Sequence, residues 1–122
     1  MQYLCLVYID EHVFDEMSER EGKQLVNDAL DYDDELRRRS HYVTSAALQP
    51  VATATTVRVR NGKVSTTDGP FAETKEHLGG FILIEARDLN EAIKAASGIP
   101  MARIGSIEVR PVMQIQRTDL GD

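Results

Sequence analysis

The sequence predicts an α+β domain made of two βαβ units with a β-hairpin set between them. Three observations carry this. Gln2 to Ile9 and Gly79 to Ala86 are strand-length runs apolar on successive residues; two other segments place apolar residues at helical spacing behind a capping residue; and Asn61-Gly62 separates two alternating runs. A chain of 122 residues is one domain's worth, and the folded part is expected over residues 1–115 with a polar, frayed tail over 116–122.

QYLCLVYI, Gln2 to Ile9, is apolar on both faces and reads as a central strand. Glu11 to Met17 leaves open a short helical turn carrying Val13, Phe14 and Met17. Ser18 with Glu21 three residues on forms a capping box, and Leu25, Ala29, Tyr32 and Leu36 then mark the inner stripe of a long helix. Asp33, Asp34 and Glu35 stand four residues before Arg37, Arg38 and Arg39, which makes them its wet side. Tyr42 to Leu48 is a strand closed by Pro50. Thr55 to Arg60 and Val64 to Thr67 form a hairpin, because Asn-Gly accepts the positive φ of a primed turn. A loop from Asp68 to Leu78 precedes the second doubly apolar strand, Gly79 to Ala86. Asp88 with Glu91 caps a short helix carrying Leu89, Ala92, Ile93 and Ala96, which Gly98 and Pro100 stop, and Gly105 to Ile115 is the last strand.

Both helices on one face of these four strands give the split βαβ arrangement of a ferredoxin-like sheet. Two helices cover one face, yet the strands from Tyr3 to Ile9 and Phe81 to Ile84 carry apolar residues on the other as well. A lone copy would expose that patch, so the expected assembly is a homodimer in which two sheets pack face to face as a dimeric α+β barrel.

Composition narrows the job. An apolar content of 42% and a charged content of 28% exclude disorder, and a net charge of −6 offers no footprint for a nucleic-acid backbone or an anionic membrane. No apolar run approaches the roughly 20 residues that cross a bilayer. The single cysteine, Cys5, has no partner for an internal disulfide and sits in an apolar strand, which points to a packed thiol in a cytoplasmic protein. No Gly-rich phosphate loop, nucleophile elbow or metal-ligand cluster is present, so neither a cofactor nor a metal is implied.

Asp68-Gly69-Pro70-Phe71-Ala72-Glu73-Thr74-Lys75-Glu76 is the most unusual stretch. It resembles, at every position, the signature of the DGPFAETKE group of the YCII-related family. The resemblance continues through Leu48-Gln49-Pro50, Thr53 to Gly62, Leu78-Gly79-Gly80-Phe81 and Gly105 to Pro111. It implies a dimeric ferredoxin-like barrel and a gene beside that of an extracytoplasmic-function sigma factor. Distant members resemble lyases that use a His-Asp pair in a cleft between sheet and partner subunit, and this chain has no clear match to that histidine.

Two readings of the signature stand side by side. In one it is loop architecture: Asp68 accepts backbone N–H groups as a turn cap, Phe71 is an anchor, and Glu73, Lys75 and Glu76 are solvated or paired. In the other the stiff loop holds Asp68, Glu73 or Lys75 at the mouth of an apolar cleft, where a partly buried carboxylate could act as a general base. Glu108 and Arg110 alternate with Ile107 and Val109, which places the charged pair on the helix-free face, either to grip an anionic ligand or to bridge Arg110 to Glu73 or Glu76. Of His12, His41 and His77, none has ligand spacing; His77 directly follows the signature and could face Asp68 for proton transfer.

The candidate catalytic residues are therefore Asp68 and His77. The candidate ligand-binding residues are Asp68, Phe71, Glu73, Lys75, Glu108 and Arg110. The leading expectation is a homodimer with a small-molecule cleft and lyase-like acid/base chemistry. The alternative is a non-enzymatic partner of a sigma factor, with the acidic stretch from Asp10 to Glu35 as its contact surface.

Overall fold

The chain forms β1 (Gln2–Ile9), α1 (His12–Asp15), α2 (Glu19–Arg38), β2 (Tyr42–Ala47), β3 (Thr55–Arg60), β4 (Lys63–Asp68), β5 (His77–Glu85), α3 (Leu89–Ser97) and β6 (Ser106–Pro111). Two 3-10 turns add to these, at Val51–Thr53 and Pro100–Arg103. This is a computed structural model, and it describes residues 1–121; Asp122, in the tail expected to fray, lies outside the described residues.

The mixed α+β class is as expected. Four strands form an antiparallel sheet in the order β2-β5-β1-β6, consistent with a ferredoxin-like arrangement, and the two doubly apolar runs are its central strands. The period of two along β1 sends Tyr3, Cys5, Val7 and Ile9 inward. There they pack with Ile82 and Ile84 of β5, Leu36 of α2, and Ala92, Ala95 and Ala96 of α3. Burial pushes the Cys5 thiol up to about 11, as befits a packed thiol. Leu4, Leu6, Phe81 and Leu83 fall on the opposite face, where no helix lies over them and they are only half-buried. Glu108 and Arg110 share that face, since they stand opposite Leu6 and Leu4.

Ser18 caps α2 as anticipated: its hydroxyl accepts the Glu21 N–H at 3.1 Å and the Glu21 carboxylate accepts the Ser18 N–H at 3.3 Å. Asp88 likewise accepts the Glu91 N–H at 2.9 Å at the start of α3. The open stretch after β1 contains the single helical turn α1. β3 and β4 pair with each other across Asn61 (φ 52°) and Gly62 (φ 73°), a two-residue primed turn, and form a separate two-stranded sheet.

Several strand ends differ from the sequence reading by one residue, and three differences bear on the site or the tail. β4 extends to Asp68 because that residue pairs with Thr55, and β5 begins at His77 because that residue pairs with Ile9, so the loop shrinks to residues 69–76. β6 ends at Pro111 instead of Ile115. The Val112 N–H bonds the Gln2 carbonyl oxygen at 2.9 Å, and β1 starts at Gln2, so the neighbour strand runs out before the apolar pattern does.

Candidate functional site

The segment after β2 turns at Pro50 and is fixed against the end of β1: the Val51 N–H donates to the Glu11 carboxylate at 2.9 Å, and the Thr53 hydroxyl to the Pro50 carbonyl at 2.7 Å. The signature loop runs opposite and is tied at both ends. At its start, the Gly69 N–H donates to the Ala54 carbonyl at 2.7 Å and the Thr56 hydroxyl to the Gly69 carbonyl at 2.8 Å. Gly69 has φ 101°, a conformation that favours glycine, directly before the fixed φ of Pro70. At its end, the Thr74 hydroxyl donates to the Glu76 carbonyl at 2.6 Å, and the Ser106 hydroxyl of β6 donates to the Glu76 carboxylate at 2.8 Å.

Between these two segments lies a cleft of about 580 Å³, floored by Tyr8 of β1. Its walls are the apolar side chains of Leu48, Pro50, Val51, Pro70, Phe71 and Leu78, with hydroxyls from Thr53, Thr55, Thr56 and Thr74, and with Glu76 and His77 side by side. A shallower depression of about 650 Å³ adjoins it on the helix-free face, sharing Tyr8, Thr74 and Glu76 and reaching Lys75, Ser106 and Glu108. An apolar body with one polar end matches such a lining.

The expected residues divide accordingly. His77 and Phe71 line the cleft; Lys75 and Glu108 line the adjoining depression. Asp68, Glu73 and Arg110 line neither and are exposed. The His77 Nδ1 lies 3.4 Å from the Thr74 hydroxyl, and no hydrogen bond joins it to Asp68 among the described residues. Asp68 does not cap the turn: Pro70, two residues on, has no N–H, and the Asp68 carboxylate accepts no hydrogen bond among the described residues. Phe71, read as an anchor in the architectural reading, is 80% exposed at the rim. The tie between loop and sheet is Ser106 to Glu76 and not an Arg110 bridge. His12 approaches Asp15 at 3.5 Å, and the His41 Nδ1 meets the Glu85 carbonyl at 2.7 Å, both away from the cleft. No cluster of His, Cys, Asp and Glu suited to a metal occurs among the described residues.

Tyr8, Thr55 and Ser106 were not among the expected site residues. Tyr8 carried a signal, because the alternation that turns Leu4 and Leu6 outward turns Tyr8 the same way. Ser106 stood inside the Gly105 to Pro111 block without its chemistry being read.

Residues 1–116 match the family described as the YCII-related domain. The chain is also 37% identical over 114 residues to an uncharacterized protein from Rhizobium meliloti (strain 1021), an alignment covering 92% of each chain. No helix among the described residues is long and apolar enough to cross a membrane.

Proposed function

This chain belongs to the YCII-related family, and from that premise we propose that it is a homodimer with a binding cleft for a small molecule. The two sheets pack through the face carrying Leu4, Leu6, Phe81 and Leu83 as a dimeric barrel, with β3 and β4 as a hairpin inserted into a ferredoxin-like frame. The ligand lies with its apolar body between Pro50 and Phe71 and its polar end toward Glu76 and His77. The observation that carries this reading is the cleft itself, whose two walls are the signature loop and the Leu48 to Thr56 segment, each fastened by its own hydrogen bonds.

Lyase-like acid/base chemistry in this cleft falls to His77, since imidazole is the side chain best suited to exchange protons near neutrality. Thr74 steadies its ring and Glu76 supplies the neighbouring negative charge. Lys75 and Glu108 hold the polar end of a longer ligand in the adjoining depression, while Asp68, Glu73 and Arg110 act through their charge at a distance.

Amide NMR of the full chain against a library of small aromatic and carbonyl compounds tests this. Bound compounds should shift the amides of Val51, Thr55, Phe71 and His77 together, and Glu76→Gln and His77→Ala should weaken binding about tenfold or more without moving the melting temperature by more than about 2 °C. Hits scattered over the surface, or binding indifferent to both substitutions, would remove the ligand reading and leave the acidic stretch from Asp10 to Glu35 as the surface to test with a sigma factor.

A further inference from the structure

β6 outruns its neighbour. Its pairing with β1 ends where Pro111 faces Tyr3, and beyond the bond from Val112 to Gln2 residues 113–116 have no strand beside them among the described residues. They are nonetheless composed as a strand: Met113 and Ile115, two apart, stand 80% and 84% exposed. The hairpin has a matching deficiency. β3 and β4 pair with each other and with no strand of the main sheet, and Val57, Val59 and Val64 share one face of the ribbon, each more than half exposed. A two-stranded ribbon is marginal in water and gains stability from a third strand.

One chain cannot join these two pieces. The tail leaves at the Gln2 end of β1, whereas the hairpin hangs from the Ile9 end, where Ile9 pairs with His77. The strand between them spans about 25 Å. A two-fold axis perpendicular to β1 carries the Gln2 end of one copy to the Ile9 end of the other, and does so twice. The surface area agrees with such an embrace. A compact chain of 13.6 kDa exposes about 6,600 Å² and this one exposes 9303 Å², a surplus of about 2,700 Å². Permanent dimers remove about 1,000–2,500 Å² from each partner.

We propose that in the homodimer the segment Met113 to Gln116 of each copy adds as a third strand to the hairpin of the other. Met113 and Ile115 then extend the valine face into one apolar surface. That face continues at its base into Thr55, a wall of the cleft, so the second copy completes the cleft rim. The inference rests on the dimer reading above and goes beyond it by naming the contact.

Sedimentation velocity and hydrogen exchange on the full chain test it, with Gln114→Pro to remove a backbone donor and Met113→Asp with Ile115→Asp to spoil the apolar face. All three positions are exposed in the single chain, so its own fold should persist. The expected result is a dimer dissociation constant raised about tenfold or more and hairpin amides over 55–68 exchanging about tenfold faster. A wild-type dimer whose constant and hairpin exchange ignore both variants overturns the strand exchange and leaves the dimer standing. A wild-type monomer at micromolar concentration overturns both.

Discussion

The phenol of Tyr32 donates a hydrogen bond to the Ala95 carbonyl oxygen at 2.5 Å, joining the middle of α2 to the last turn of α3. The carbonyls of a helix's last turn lack i+4 partners, and this one takes the Gly98 N–H at 3.3 Å and a second, shorter donor from a different helix. A methyl group at Gly98 would overlap the same ring, so the close fit of the two helices depends on both positions.

Tyr32→Phe keeps the ring and deletes the shorter of two donors, leaving the buried Ala95 carbonyl with only the Gly98 N–H at 3.3 Å. The expected cost is about 1 kcal/mol, read as a melting temperature lower by about 4 °C. An unchanged melting curve would mean that water replaces the phenol at no cost.

Asp33 sits on α2 where Ser45 of β2 donates to it at 3.5 Å. Burial pushes its carboxyl above the ordinary 3.8, with Arg37 and Ser45 pulling the other way and Asp34 adding to the rise. The folded state therefore favours the protonated form. Its stabilising share is complete below 3.8 and is lost as pH rises through the raised value. Asp33→Asn should thus melt higher than wild type at pH 7, with the difference closing as pH falls below the carboxylate range. Thermal melts at pH 3 and pH 7 check the sign, and a variant less stable at pH 7 would contradict it.

Ser106→Ala removes the donor that fastens the Glu76 carboxylate to β6, although Ser106 is exposed and the core does not feel the loss. Stability should fall by no more than about 0.5 kcal/mol. Amide exchange at residues 73–77 should rise while that of β1 stays put. Uniform exchange changes across the chain would show that the loop is held by something else.

The sequence foretold most where a pattern is local. Two-sided apolar runs marked β1 and β5 as central, Ser18 with Glu21 and Asp88 with Glu91 marked helix starts, and Asn61-Gly62 marked the hairpin. It misled where an outcome depends on a distant neighbour. The end of β6 is decided by where β1 begins, so Met113 and Ile115 look like strand residues yet lie beyond the ladder. The link between Ser106 and Glu76 joins side chains 30 positions apart, which no spacing rule reaches. Of the two readings of Phe71, loop anchor or ligand contact, the loop leaves the anchoring to Gly69 and Glu76 and sets Phe71, 80% exposed, at the rim of the cleft.

β1 serves three surfaces in turn: Cys5 fills the interior, Leu6 faces away from the helices, and Tyr8 floors the cleft after a register shift at Val7/Tyr8. Dropping or adding a residue upstream of that shift would exchange inner for outer side chains along the strand. Length variation in descendants of this chain should therefore gather at the Asn61-Gly62 tip, and β1 should keep its residue count even where its amino acids drift.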